Sequence, residues 1–134
     1  MRGPMHHIDL TVKDPAASFP LYHAFFGFLG YRHSREFEWR LDAPAGHSSV
    51  SLVPATGSGA GRTHDRYSPG LHHIAWRAES RTDVDALHEI LIKIGAIVLD
   101  VPTEYPQYNK GNGYYAVFFA DTDGLKLEFA YTSD

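Results

Sequence analysis

Apolar and polar residues alternate in several short stretches of the chain, which is the pattern of half-buried β-strands. The alternation is clear in residues 7–12, 73–77 and 125–131. Because successive side chains of a strand point to opposite faces, each stretch has one apolar face and one face with polar side chains. The pattern therefore predicts strands that pack one face on a core and leave the other available to solvent or a ligand.

A helical pattern replaces the alternation in the second half of the chain. Val84, Leu87, Leu91 and Ile94 recur at helical spacing. Ser80 precedes them as a helix cap, and Gly95 follows them as a stop. The spacing predicts an amphipathic helix between these two residues.

A second helix is predicted in the first half, where its start is less regular. Asp14-Pro15 is a favourable beginning for a helix. However, Pro20 lacks a backbone N–H and its ring would clash inside a continuous helix. Either the helix kinks at Pro20, or it begins near Ser18 with Pro20 in its first turn. We expect the second, with the helix ending at Gly30.

The two halves of the chain share a weak, ordered repeat. Residues 5–12 resemble residues 71–78, each with a His-His pair, and a helix-like segment ending in glycine follows at nearly the same distance. Further strands are predicted in the segments that follow each helix, at 31–40, 48–53, 96–101, 114–120 and 125–131.

The repeat predicts an α+β fold made of two βαβββ modules. Module one spans about 5–54 and module two about 71–132, in one domain covering 1–134. Residues 55–70, rich in Gly, Ser, Ala and Pro, form the connector. We expect the strands to curl into a cupped mixed sheet with the helices outside.

Composition narrows the classes of function. The chain has 134 residues, 43% of them hydrophobic, and no cysteine, so it can bury a core but has no disulfide framework or thiolate metal site. Its net charge is −4 and its basic residues are scattered, which argues against nucleic acid. No stretch approaches the roughly 18 apolar residues of a membrane span. We expect a cytoplasmic protein that does not bind membranes.

Three polar residues fall on the strand faces opposite the apolar side chains: His7, His73 and Glu128. Two imidazoles and one carboxylate form a typical ligand set for a divalent metal and leave positions open for water or substrate. The sequence thus predicts one divalent metal ion, Fe, Zn, Ni or Mn, bound by these residues. The alternative is that the three are separate residues at the surface or core edge. His6 and His72 alternate to the helix-facing side.

A tyrosine-rich segment, residues 104–115, precedes the strand predicted at 114–120. Its tyrosines, punctuated by Pro and Gly, are suited either to lining or covering a pocket for an apolar or aromatic ligand, or to packing at an interface. The pocket residues we predict are Tyr105, Tyr108, Tyr114 and Phe118 from this segment and the strand after it, together with Ser51 of module one.

The ordered set of motifs resembles the vicinal oxygen chelate superfamily, which includes glyoxalases, bleomycin resistance proteins and extradiol dioxygenases. Residues 7–14 resemble its opening strand, residues 28–30 its helix ending, and residues 70–75 the start of its second module. Residues 121–128 resemble its turn and glutamate ligand, with Thr122 where proline is usual. The resemblance covers nearly the whole chain. It implies a glyoxalase-like fold, a homodimer, and metal ligands at the two histidines and the glutamate already singled out.

The sequence departs from particular members of that superfamily. Glyoxalase I and methylmalonyl-CoA epimerase carry a Glu or Gln ligand on the fourth strand of module one, where this chain has Ser51. A hydroxyl is a poor substitute for a carboxylate that also moves protons. Phe118 stands where fosfomycin-resistance enzymes have a phosphonate-binding tyrosine. Extradiol dioxygenases usually contain two such pairs of modules.

The resemblance leaves two classes of function. The first is a metal-dependent lyase, isomerase or dioxygenase that chelates adjacent oxygens of a small substrate and is not a typical glyoxalase I. The second is a metal-free protein that sequesters an aromatic drug or metabolite, as bleomycin resistance proteins do.

Overall fold

The computed structural model describes residues 2–133, which form two compact units. The first unit ends at Arg62 and the second begins at Thr63. Within the described residues each unit contains a strand, a helix and three further strands. The predicted α+β architecture of two βαβββ modules is confirmed.

The first unit contains β1 (His7–Val12), α1 (Pro15–Leu29), β2 (Arg32–Arg35), β3 (Glu38–Ala43) and β4 (Gly46–Pro54). Its sheet has the order β1-β4-β3-β2, with β1 parallel to β4 and the remaining pairs antiparallel. The segment 31–40, predicted as one stretch of strand, contains β2, a turn and the start of β3. Alternation alone did not locate that turn.

The second unit contains β5 (His73–Arg77), α2 (Arg81–Lys93), β6 (Ile97–Glu104), β7 (Tyr114–Ala120) and β8 (Lys126–Thr132). Its sheet has the order β5-β8-β7-β6, again with one parallel pair, β5 and β8. In the part of the chain that the structure describes, no helix is long and apolar enough to cross a membrane.

Helix α1 begins at Pro15 rather than near Ser18, so the predicted start is wrong. Oδ1 of Asp14 accepts a hydrogen bond from the backbone N–H of Ala16 at 3.0 Å and caps the helix. The helix then continues through Pro20 although that residue donates no backbone hydrogen bond. Packing offsets this loss, because α1 buries Ser18, Leu21, Tyr22, Phe25 and Phe26.

Helix α2 has the predicted cap and buried face. Oγ of Ser80 accepts from the backbone N–H of Asp83 at 3.1 Å. The buried residues of the helix are Val84, Leu87 and Leu91. Ile94, predicted to continue this face, is instead the C-cap residue and is exposed, because the helix ends at Lys93. Gly95, with a φ of 73°, follows its C-terminal end.

The two sheets have equivalent registers in their parallel pairs. β1 places Asp9 opposite Ser51 of β4, and β5 places Ala75 opposite Glu128 of β8. Asp9 and Ala75 each lie two residues after the histidine that begins their strand. Ser51 therefore holds in the first unit the place that Glu128 holds in the second.

Candidate functional site

The second unit brings His73 and Glu128 together. Nε2 of His73 lies 3.1 Å from Oε1 of Glu128. The glutamate is only 2% exposed, while the histidine is half-buried. Burying an ionised carboxylate is costly unless its oxygens have hydrogen-bond or charge partners. The environment of Glu128 must therefore supply those partners.

Tyr114 supplies the second partner of the buried carboxylate. Its hydroxyl donates a hydrogen bond to Oε2 of Glu128. Burial raises the pKa of Tyr114 above its ordinary value, and the hydrogen bond to Glu128 raises it further. The tyrosine therefore stays protonated and keeps its role as donor across the physiological pH range.

A second imidazole orients His73. The Nδ1 atoms of His72 and His73 lie 2.8 Å apart, so one ring donates to the other according to their tautomers. This contact leaves Nε2 of His73 for the carboxylate. The pKa of His72 lies below its ordinary value because of desolvation, and the neighbouring His73 lowers it further.

The first unit repeats this histidine pair. The Nδ1 atoms of His6 and His7 lie 2.9 Å apart. His6 and His72 are both exposed. His72 lines the same cavity as His73, so the prediction that it faces the helices is wrong. Each comes just before its strand begins, so the alternation of side chains within a strand does not fix its direction.

A cavity of about 580 Å³ opens beside the carboxylate. Its wall includes His73, Tyr108, Tyr114, Phe118, Lys126 and Glu128. Nζ of Lys126 lies 4.4 Å from the centre of the Phe118 ring, a cation–π contact. Gln107 and Asn109 also line the cavity and were not predicted. Their positions follow from the path of the loop, for which the sequence has no simple signal.

The tyrosine loop forms an aromatic cluster at this cavity. The rings of Tyr105 and Tyr108 stack with centres 5.6 Å apart. Tyr105 also meets Phe118 edge-on at 5.7 Å, and Tyr108 meets Tyr114 at 5.2 Å. Four of the five predicted pocket residues thus lie together in the second unit. Both alternatives for this loop, covering the pocket and packing at an interface, stay predictions.

The remaining predicted residues, His7 and Ser51, lie in the first unit. His7 is exposed at the start of β1. Oγ of Ser51 donates a long hydrogen bond, 3.4 Å, to Oε2 of Glu38 on β3. The sequence prediction missed Glu38, because its position beside Ser51 depends on the register between β3 and β4.

The donors of the second unit fit part of a metal site. Across residues 2–133, no group of three or more His, Asp or Glu side chains is arranged to hold a metal ion. The His73 imidazole and the Glu128 carboxylate nevertheless converge, and both are donors that divalent transition metals accept. The other ring nitrogen of His73 contacts His72, and the other oxygen of Glu128 accepts a hydrogen bond from Tyr114. Outer hydrogen-bond partners orient metal ligands in this way.

Known proteins similar to this chain span nearly its whole length. The family model of the Glyoxalase/Bleomycin resistance protein/Dioxygenase superfamily matches residues 5–129. An uncharacterized protein of Bacillus subtilis (strain 168), YqjT, is 33% identical over 129 residues, which cover 96% of this chain and 99% of that relative.

Two solved structures share the fold. One, provisionally described as a glyoxalase from Bacillus halodurans, has a TM-score of 0.76 and 27% identity over 97% of this chain and 96% of its own. The other is a glyoxylase/bleomycin resistance protein/dioxygenase domain from Frankia sp. EAN1pec. It has a TM-score of 0.67 and 25% identity, with 98% of this chain and 99% of that chain covered.

Proposed function

Because the chain belongs to the glyoxalase/bleomycin resistance protein/dioxygenase superfamily, we propose that it is a metal-dependent enzyme acting on a small substrate with two adjacent oxygens. The family resemblance drawn from the sequence is confirmed. Metal dependence and reaction class are our proposal. The proposal includes three classes of enzyme: a lyase, an isomerase or a dioxygenase.

The observation that carries this proposal is the buried carboxylate of Glu128. At 2% exposure it costs folding free energy that an apolar residue at the same place would not cost. Its companion is an imidazole whose Nε2 lies 3.1 Å from it. A cavity that only sequesters aromatic molecules has no need of this pair. A cation bound by both groups would offset the cost.

The proposed ligands are His73 and Glu128 from the second unit and His7 from the first. His7 belongs to the set because it begins β1 as His73 begins β5, and each has a neighbouring histidine at its Nδ1 atom. Three such ligands leave coordination positions for a substrate. Fe, Zn, Ni and Mn all accept this donor set.

The protein's own groups would prepare the site for chemistry. A bound divalent metal supplies Lewis acidity that stabilises negative charge developing on chelated oxygens. Tyr114 holds the ligand Glu128 in place. The rings of Tyr108, Tyr114 and Phe118 line the cavity, with Tyr105 stacked on Tyr108, and would shield a bound substrate from water. The cavity therefore favours a substrate with an apolar or aromatic part beside its two oxygens.

Metal analysis of untagged protein purified without chelators tests the proposal. Glu128→Gln removes the charge but keeps the shape, and it should weaken metal binding by at least ~10-fold. His73→Ala and His7→Ala should do the same. Glu89→Gln, at an exposed glutamate of α2, is the matched control and should bind metal as the wild type does. Full metal content in both Glu128→Gln and His73→Ala would contradict the assignment.

The second candidate function is metal-free sequestration of an aromatic molecule. The aromatic cluster around Tyr105 and Tyr108 favours it, because stacked and edge-on rings present apolar surface to a planar ligand. Binding of a fluorescent aromatic probe in the presence of EDTA separates the two functions. Tight binding that is unaffected by Glu128→Gln would favour sequestration.

The proposed enzyme is a homodimer, as the family resemblance implies. Sedimentation velocity of the metal-loaded protein tests this state. Mixing His7→Ala chains with Glu128→Gln chains then tests whether one site uses ligands from two copies. In that case half of the sites in a mixed dimer would regain all three ligands.

A further inference from the structure

The cavity of the second unit has a cation on its wall that the proposed function leaves without a role. Lys126 lies on β8 two residues before Glu128, so the two side chains share a face of the sheet. The register partner of Lys126 on β5 is His73, and both residues line the cavity. Lys126 is therefore placed to contact a ligand that enters beside His73.

The side chain of Lys126 extends over an aromatic ring rather than to a carboxylate. Its Nζ atom lies 4.4 Å from the centre of the Phe118 ring, and Phe118 is the register partner of Glu128. No ion pair between residues 2 and 133 includes Lys126. The ring attracts the cation through its electron-rich face but offers no oxygen or nitrogen acceptor to its three N–H donors. The ammonium group can therefore still donate to a ligand.

The negative charge on the cavity wall is covered by its own partners. Glu128 is 2% exposed, and its two oxygens contact Nε2 of His73 and the hydroxyl of Tyr114. Lys126 is half-buried and so is the more accessible of the two charged residues. Of the described residues that line the cavity, only these two are Asp, Glu, Lys or Arg. An entering ligand thus meets an accessible cation and a covered anion, which favours a negatively charged group.

The loop that lines the same cavity adds neutral polar groups. Gln107 and Asn109 both contribute to the wall, and an amide N–H can donate to an anion without adding charge. Asn109 and Lys110 adopt the left-handed backbone conformation, with φ of 51° and 52°. Nδ2 of Asn109 donates to the backbone oxygen of Gly113 at 2.9 Å and holds the loop in that conformation. Such a conformation costs free energy and is often kept where a segment contacts a ligand.

We propose that Lys126 is the anion-recognising residue of this cavity and that the ligand is a small aromatic carboxylate. The carboxylate accepts a hydrogen bond from the ammonium group of Lys126, and the aromatic part packs against the rings of Tyr108 and Tyr114. One ammonium group and no arginine on the described wall suit a monoanion better than a phosphate dianion. This inference rests on the proposed function, because it names the substrate class of the same cavity.

A matched pair of fluorescent probes, naphthoate and its neutral amide naphthamide, tests the inference. The two probes share one planar ring system and differ in charge. Fluorescence titration of the full chain in the presence of EDTA removes any contribution from a metal. We expect the wild type to bind naphthoate at least ~10-fold more tightly than naphthamide, because a hydrogen bond between charged groups is stronger than one to a neutral group.

Substitutions at Lys126 locate the origin of this preference. Lys126→Met keeps a flexible side chain over Phe118 but removes the charge, so naphthoate should bind at least ~10-fold more weakly while the affinity for naphthamide stays the same. Lys126→Arg keeps the charge and can stack on the ring, so it should keep most of the preference. Lys93→Met removes an exposed lysine of α2 and is the matched control, which should bind both probes as the wild type does. If Lys126→Met does not fold, Lys126→Gln takes its place.

The outcomes separate this inference from the proposed function. A wild type that does not prefer naphthoate, or a preference that survives in Lys126→Met, would overturn the role of Lys126 and leave the metal content of Glu128→Gln to decide the metal site. Equal loss of affinity for both probes in Lys126→Met would indicate a structural role and would also overturn it. Full metal content in Glu128→Gln, together with a naphthoate preference that depends on Lys126, would overturn the metal site alone.

Discussion

The hydroxyl of Tyr114 donates a hydrogen bond to the buried carboxylate of Glu128. The two residues are not opposite each other in the sheet, because the register partner of Glu128 is Phe118, four residues after Tyr114 on β7. The long tyrosine side chain spans this offset and satisfies Oε2. The carboxylate is thereby held between a phenol and an imidazole, with the aromatic loop beside it.

The first prediction follows from that hydrogen bond. Tyr114→Phe keeps the ring but leaves Oε2 of Glu128 without its donor, so the metal-free protein should lose about 1–3 kcal/mol of unfolding free energy. Metal affinity should also fall ~10-fold, because the ligand is less well oriented. Urea denaturation and Mn²⁺ titration measure the two effects. Tyr67→Phe, at a ring that is 79% exposed, is the control. Unchanged values for Tyr114→Phe would show that Tyr114 does not position Glu128.

The second prediction concerns the tyrosine loop. Tyr108 is 47% exposed and lines the cavity, whereas Tyr105 is half-buried against Phe118. Tyr108→Ala should therefore weaken binding of a fluorescent aromatic probe while lowering the melting temperature little, because an exposed loop residue contributes little to stability. Probe fluorescence, thermal denaturation and sedimentation are measured on the same variant. A shift from dimer to monomer with unchanged probe binding would instead identify the loop as an interface.

The third prediction concerns the core of the first unit. Trp39 is 1% exposed, and its Nε1–H donates to Nδ1 of His23 at 3.2 Å. His23→Leu leaves the buried indole N–H without an acceptor and should cost about 1–3 kcal/mol of unfolding free energy. His23→Gln offers an amide oxygen and should recover part of the loss. Equal stability of the two variants in urea denaturation would contradict this role of His23.

The fourth prediction is a pH dependence of stability at Glu38. Its pKa in the folded chain lies below the ordinary value of 4.5, chiefly because of the hydrogen bond from Ser34. Its ionised form therefore stabilises the native state fully above pH 4.5, and this contribution is lost as the pH falls through the lower folded value. The difference in unfolding free energy between wild type and Glu38→Gln should shrink as the pH falls below 4.5. A difference that stays constant with pH would rule out this contribution.

The fifth prediction is that the protein does not efficiently convert the methylglyoxal–glutathione adduct. Ser51 replaces the carboxylate that glyoxalase I uses on this strand, and a proton-transfer group typically contributes ~10²–10⁴-fold to rate. Turnover of the adduct by the metal-loaded wild type at a rate typical of enzymes would contradict this prediction.

Much of the fold was predictable because its signals are local. The helical spacing of Val84, Leu87 and Leu91, with a serine cap and a glycine stop, placed α2 nearly at its observed bounds. The repeat of His-His pairs predicted two modules. Alternation along β5 and β8 was also enough to put His73 and Glu128 on one face, where the structure brings them within 3.1 Å.

Other features depended on packing between distant segments. The start of α1 was predicted wrongly because the penalty of Pro20 is local, whereas the aromatic packing that outweighs it is tertiary. His72 was assigned to the wrong side because it precedes the strand whose alternation was applied to it.

By itself, the sequence determined the order of strands and helix in each module. It also determined which strand residues are polar, through their alternation with apolar residues. The tertiary structure decided which of those side chains meet: Tyr114 with Glu128, and Ser51 with Glu38. These contacts depend on strand register and on how far a side chain reaches across the sheet. Register is set by pairing between segments that are far apart in the chain, and no local period of hydrophobic residues encodes it.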